Sequence, residues 1–253
     1  MESAQDQYNK IADFYEIFYS DLDFIQFEND FIKQHQEFLD TLPENAKICD
    51  CSCGNGLQAI ALKKAGFDIL ATDISDEMIR LTVKNSKKSN VEFPVRRMSW
   101  KELSKEYVSV FDMVFCWGNS ISHSSSRQDM IDNLKAIYQT MKVNGKLVIE
   151  TRNWDKIVIA EQRYYNYKIT KYNGKKYLPF YVMNLNGFDE PANLEMLFLE
   201  IHKDLSTECT GFKLDFMPFR HEDFILRLKE VGFHVLNDNY HNNEDFYYLV
   251  LEK

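Results

Sequence analysis

Asp50, Gly54, Gly56 and Asp73 have the residue types and spacing of a nucleoside site. The run Ile48-Cys49-Asp50-Cys51-Ser52-Cys53-Gly54-Asn55-Gly56 is a short apolar strand ending in a small-residue turn with two glycines. A helix over 57–65 follows at once, and a second strand over 69–73 ends in Asp73, seventeen residues beyond Gly56. Glycine lets backbone approach a ligand where a Cβ would collide. The helix start leaves N–H groups free to face that ligand. A carboxylate at the end of the second strand can accept hydrogen bonds from both ribose hydroxyls.

These residues carry a family resemblance. Asp-x-x-Cys-Gly-x-Gly (Asp50 to Gly56), then Asp-x-Ser-x-x-Met (Asp73, Ser75, Met78), resembles motifs I and II of class I S-adenosylmethionine-dependent methyltransferases. Dinucleotide enzymes share the acid but favour a third glycine, where this chain has Ala59. The bland alternative is an α/β domain whose glycine turn is merely tight. The resemblance implies S-adenosyl-L-methionine as cofactor and S-adenosyl-L-homocysteine as product. It also places Ser99 and Trp100 under the adenine, with Trp100 as an apolar face and Ser99 as a hydrogen-bonding group. A core position is the other reading of Trp100.

A second pair of signatures narrows the resemblance. Gly118-Asn119-Ser120-x-x-His123, after Trp117, and Arg152-Asn153-Trp154-Asp155 resemble the glycine N-methyltransferase group with its sarcosine and dimethylglycine relatives. The likeness runs from about Asp50 to Asp155. It implies that Arg152 grips a substrate carboxylate, since a bidentate guanidinium–carboxylate pair is strong and directional. It implies that Asn119 and its neighbours line donor and acceptor sites, and that His123 lies on the cofactor side. The other readings are a structural Arg152 paired with Glu150 or Asp155, and a merely packed His123.

The chain also departs from that group. Ser52 stands where Ala or Gly is usual. No arginine precedes Arg80, so the lid contact to the methionine carboxylate falls to lysine or to tyrosine hydroxyls such as Tyr8 and Tyr19. A substrate-touching tyrosine is replaced by Ile201, and Tyr164 or Tyr165 matches another pocket tyrosine. These changes predict an acceptor larger or more apolar than glycine.

The positioning elements follow from periodicity. Helical spacing over 5–19 and 27–42 predicts an N-terminal helical lid, 1–43. Strands at 47–51, 69–73, 91–96, 113–117 and 146–151 alternate with helices at 57–65, 77–86 and 129–141, with a turn at 143–145. That alternation gives a doubly wound parallel sheet. A helix over 221–231 and strands at 234–236 and 246–251 form a terminal hairpin. The expected fold is α/β: a seven-strand Rossmann-like methyltransferase sheet with that antiparallel hairpin. Its core is 44–154 plus 220–253. Residues 155–219 read as a small inserted antiparallel sheet capping the substrate pocket, all within a single domain, 1–253.

Composition sets outer bounds. A net charge of −9 argues against a nucleic-acid surface. The basic cluster 84–88 reads as a solvated helix end. No run reaches transmembrane length and no leader is evident, so a soluble, cytoplasmic protein with no membrane partner is expected. Cys49, Cys51 and Cys53 alternate along one strand and its exit; small packing residues fit them better than a metal site, which would need a fourth ligand. The resemblance implies a small amine or amino acid as partner, and a homo-oligomer is compatible with the sequence. No nucleophilic triad is present, which suits an in-line methyl transfer governed by orientation. A small-molecule O-methyltransferase and a non-catalytic S-adenosylmethionine-binding protein are the alternative functions.

Overall fold

Strand β1 (Lys47–Asp50) sits near the middle of a sheet ordered β11-β12-β5-β4-β1-β2-β3. Its neighbours β2 (Asp68–Asp73) and β4 (Phe111–Cys116) run parallel to it, as β3 (Val95–Arg97) does to β2 and β5 (Met141–Arg152) to β4. After the exposed Lys47, Ile48, Cys49 and Asp50 are all buried, as expected of a central strand covered on both faces. Strands β11 (His234–Asp238) and β12 (Phe246–Glu252) close the sheet antiparallel. The computed structural model describes residues 3–160 and 163–253.

The connecting helices start and stop where local chemistry directs. Gly56 (φ +88) caps α3 (Leu57–Lys64); a Cβ there would lie 2.8 Å from the Thr82 methyl, so this approach of α3 to α4 requires glycine. Ser75 caps α4 (Asp76–Lys88) by accepting from the Met78 N–H. Ser99 and Glu102 form a capping box on α5 (Trp100–Glu106), a helix the sequence pattern did not declare. Helix α6 (Arg127–Thr140) precedes β5. The turn expected at 143–145 lies inside β5 as an irregularity, with Asn144 at φ +62 and a register shift against β4. The expected third strand is shorter and later than 91–96, beginning at Val95.

The N-terminal segment folds as α1 (Ala4–Tyr15), a 3-10 turn (Glu16–Tyr19) and α2 (Phe24–Leu39). Helix α1 packs on α4 and on the inserted sheet; α2 packs on α3. The insert begins with α7 (Trp154–Ala160) and continues as β6 (Tyr164–Asn166), β7 (Thr170–Tyr172), β8 (Lys175–Asn184), β9 (Ala192–Ile201) and β10 (Thr207–Phe216). Its inner face alternates through Tyr181, Met183, Leu194, Met196, Leu214 and Phe216, which join the same apolar core as α1 and β5. Helix α8 (His221–Val231), capped by Gly232 at φ +114, leads to β11. The cysteines Cys49, Cys51 and Cys53 are buried free thiols within these cores. Among the described residues, no helix is long and apolar enough to cross a membrane.

The second core holds one polar intruder. His35 of α2 is fully buried among the rings of Phe31, Phe115, Trp117 and Tyr248, at 5.0–5.6 Å, and neither ring nitrogen has a hydrogen-bond partner. Burial drives its pKa down to about 4. The folded protein therefore holds His35 neutral while the unfolded chain takes up a proton below about pH 6.5, so stability falls as pH drops from 6.5 towards 4. His35→Phe should remove that loss, worth on the order of 2 kcal/mol at pH 5. Melting curves should show the variant gaining stability over the parent at pH 5 but much less at pH 8; an equal offset at both would rule out His35 titration.

Candidate active site

The carboxyl ends of β1, β2, β4 and β5 open into a cavity of about 730 Å³, roofed by α1, the 3-10 turn, and β8–β10. Its cofactor end is built by the glycine turn. Gly54 (φ +53) faces open space where a Cβ would stand, and donates its N–H to Asp73 Oδ2 at 2.9 Å. Ser75 N–H donates to the other Asp73 oxygen at 2.9 Å. The Ile74 N–H acts on the same carboxylate, which still keeps a lone pair to spare. Burial raises the Asp73 pKa, and the N–H groups of Ser75 and Gly54 oppose that rise. Ile74, Met98 and Trp100 form the apolar wall beside it. Trp100 Nε1 donates to the Cys51 carbonyl at 2.8 Å, which fixes the ring's orientation. The Ser99 hydroxyl is engaged in the capping box with Glu102, so the hydrogen bond expected from it to the base is already used within the chain.

The acceptor end is built by β4, β5 and the roof. Asn119 sits at φ +65, buried, with Oδ1 accepting from Thr151 Oγ at 2.9 Å and from the Arg152 N–H at 3.0 Å. Two donors on one oxygen fix the amide orientation. The Asn119 Nδ2 amide has no partner among the described residues. That nitrogen is itself shut off from solvent.

Arg152 makes no ion pair or side-chain hydrogen bond among the described residues; its guanidinium lies over the Phe246 ring at 4.9 Å. Asp155, the structural partner the sequence allowed, instead accepts from the His221 N–H. Glu150 accepts only the Gly118 N–H, at 3.2 Å. Burial pushes its pKa up to about 7, against the pull of Gly118 and Arg152.

The lid seals the cavity through a short chain of hydrogen bonds. His123 Nδ1 lies 2.9 Å from the Asp215 carbonyl, which can only accept, so Nδ1 carries the proton. Its Nε2 then accepts the Tyr8 hydroxyl at 2.8 Å. Burial lowers the His123 pKa to about 4, so the ring is neutral at pH 7. Gln7 clamps Asp215 twice, donating to its carboxylate at 2.9 Å and accepting its N–H at 3.0 Å. Asn9 Oδ1 accepts the Ser75 hydroxyl at 2.7 Å, tying α1 to the cap of α4. Burial raises the pKa of Tyr8, Tyr15 and Tyr19, which keeps all three phenols protonated.

Of the residues singled out from sequence, Tyr8, Tyr19, Ser52, Gly54, Asp73, Ser99, Trp100, Trp117, Gly118, Asn119, His123 and Arg152 line this cavity. Five do not. Gly56 serves the α3–α4 approach. Met78 is buried inside α4, beyond the cap. Tyr164 is exposed at the start of β6, and Tyr165 packs on the core near Arg152 without lining the cavity. Ile201 ends β9, too far along the strand to reach the pocket; Leu194 and Met196 form that wall in its place. The sequence reading also missed Glu150, Tyr15, Tyr167, Tyr181 and Phe246. Glu150 was detectable, because i and i+2 on a strand share a face and Arg152 was already marked.

This sheet order and roofed cavity are those of a Rossmann-like methyltransferase fold, and comparison with known proteins supports an S-adenosylmethionine-dependent methyltransferase. The family described as "Methyltransferase domain" matches residues 48–145. The glycine/sarcosine N-methyltransferase of Aphanothece halophytica is 26% identical over 226 residues, spanning 85% of this chain and 80% of that protein. The glycine/sarcosine/dimethylglycine N-methyltransferase of Actinopolyspora halophila is 26% identical over 242 residues, spanning 91% of this chain but 40% of that protein. A crystal structure of an S-adenosylmethionine-dependent methyltransferase from Clostridium acetobutylicum ATCC 824 shares the fold, with a TM-score of 0.75 over 97% of this chain and 98% of that one at 16% identity.

The donor set fits the cofactor: a carboxylate with spare lone pairs at Asp73, an apolar wall, and bare backbone at Gly54. Asp73→Ala should weaken S-adenosylmethionine binding by about 1.5–3 kcal/mol, the cost of deleting a charged acceptor. Titration calorimetry on the folded variant checks this; unchanged affinity would remove Asp73 from the site.

Proposed function

We propose that the protein transfers a methyl group to the nitrogen of a small amine bearing a carboxylate, an amino acid with an apolar body larger than glycine. The observation that carries this reading is the Arg152 guanidinium, which lines the cavity with an aromatic ring but no anion against it among the described residues. Glu150 stands two residues away without closing an ion pair, so the guanidinium's N–H donors stay open to a ligand's anion. A carboxylate docked in bidentate fashion can take the guanidinium's free N–H donors. The relatives named for glycine and sarcosine support an amino-acid acceptor.

The pocket walls argue for bulk. Leu194, Met196, Leu214 and Phe216 from the insert, with Phe18 from the lid, make one side apolar. Tyr15, Tyr19, Tyr167 and Tyr181 add aromatic faces that suit a cationic ammonium. Glycine offers these walls nothing to bury. When bound, S-adenosylmethionine supplies a methyl group already activated on a sulfonium. The chain's own residues then have three tasks. Arg152 fixes the acceptor's carboxylate, the tyrosine and apolar walls orient its body, and the lid excludes water.

Two outcomes follow. In a panel of glycine, sarcosine, alanine, leucine, phenylalanine and simple amines, the highest kcat/KM should fall on an amino acid bulkier than glycine; best turnover on glycine would overturn the size argument. With that acceptor, Arg152→Lys should raise KM by about tenfold or more, because lysine cannot form the bidentate pair. An unchanged KM would show that the carboxylate binds elsewhere.

A further inference from the structure

We propose that Glu150 is the proton acceptor that converts the incoming ammonium group of the substrate into a nucleophilic amine. The inference rests on the amine-acceptor reading above and adds a residue that neither motif contains. An ammonium nitrogen has no lone pair. One N–H proton must leave, with its electron pair staying on nitrogen, before a bond to carbon can form.

Three observations converge on Glu150. It is two residues from Arg152 on one strand, so both side chains project from the same face of β5 at the cavity. A zwitterion whose carboxylate rests on Arg152 carries its ammonium only two bonds further on, within reach of that neighbour. Second, Glu150 is held but not used up. Its Oε1 accepts the Gly118 N–H at 3.2 Å, while Oε2 has no partner among the described residues. Third, the other polar groups at the β4–β5 end of the cavity are already engaged, and Asp73 lies at the glycine-turn end, holding its own N–H donors. The Asn119 carbonyl oxygen already accepts twice. His123 Nε2 accepts from Tyr8. Asp129 is paired with Lys101 and Ser125. The lid phenols remain protonated.

The proton affinity suits the task. An ordinary glutamate sits roughly six units below an alkylammonium, too weak a base to hold its proton. Burial brings Glu150 up to about 7, which halves that gap. Arg152 beside the substrate and the apolar walls lower the ammonium's own pKa and narrow it further. Arg152 on its strand and Tyr19 from the lid act on Glu150 electrostatically, and Tyr248 stands opposite it in the β12–β5 register. In the step itself the substrate N–H bond breaks, its electron pair remains on nitrogen, and the proton binds Oε2. Glu150 goes from carboxylate to neutral acid and releases the proton to solvent after turnover.

The test is the pH profile of kcat/KM for Glu150→Gln against the parent, with leucine and phenylalanine as acceptors. Glutamine keeps an oxygen for the Gly118 N–H, so S-adenosylmethionine affinity and Tm should stay near the parent's. The parent should show activity rising through pH 7. E150Q should lose about a hundredfold or more at pH 7, with the deficit shrinking towards pH 10 as free amine forms in solution. An E150Q profile parallel to the parent's, or equal activity, would overturn the proposal while leaving amine methylation intact. No transfer to either amino acid by the parent would overturn both readings together. If E150Q folds poorly, the parent decides: no ascending limb near neutral pH overturns the role.

Discussion

A carboxylate and a guanidinium on one strand face, two residues apart, attract each other strongly in a cavity of low dielectric. In β5 they do not close into an ion pair. The Gly118 N–H holds Glu150 at 3.2 Å, and the Phe246 ring holds Arg152 at 4.9 Å. Both anchors come from the backbone fold: Gly118 from the exit of β4, Phe246 from its register opposite Arg152 in the β12–β5 pair. The separation leaves a positive and a negative site side by side, each wanting a counter-charge. A zwitterion satisfies both at once, whereas a simple cation or anion satisfies one and is repelled by the other.

The rest of the architecture serves that pair. Parallel strand ends bring the glycine turn and Asp73 alongside the β4–β5 residues, so both groups line one cavity. The roof then removes water. It is tied down at points that do not touch the reacting atoms: Gln7 on Asp215, Tyr8 through His123 to the same residue, and Asn9 on the cap of α4. These are neutral or singly charged hydrogen bonds of modest net strength, and opening the lid exposes each partner to water that can replace it. Such a closure can be strong enough to seal the chamber and weak enough to release product.

The sequence disclosed the donor half of this site better than the acceptor half, for a physical reason. The cavity residues at the ends of β1 and β2 lie on consecutive short motifs, where one strand and one turn set the geometry; Gly54 and Asp73 were therefore legible as neighbours from spacing. Arg152 and Asn119 were visible from the resemblance. The acceptor walls depend on which β9 residues face inward and how far along the strand the pocket lies. Ile201 was misplaced for that reason: alternation is legible in sequence, but position along the strand relative to β5 is not. Phe246 depends on long-range register, and Glu150 was overlooked although strand periodicity pointed to it. Fold elements followed the same rule. Helix α8 and its glycine cap were legible to the residue, while α5 and α7 were hidden because each is short and its polar caps resemble loop sequence.

The central claim is that one bound molecule answers both charges on β5. A crystal structure with S-adenosylhomocysteine and an amino-acid acceptor tests it most directly. The account predicts the acceptor's carboxylate paired with Arg152 and its nitrogen within hydrogen-bond reach of Glu150, pointing towards the sulfur. An acceptor bound with its nitrogen turned away from Glu150, and with Arg152 still resting on Phe246 alone, would contradict it.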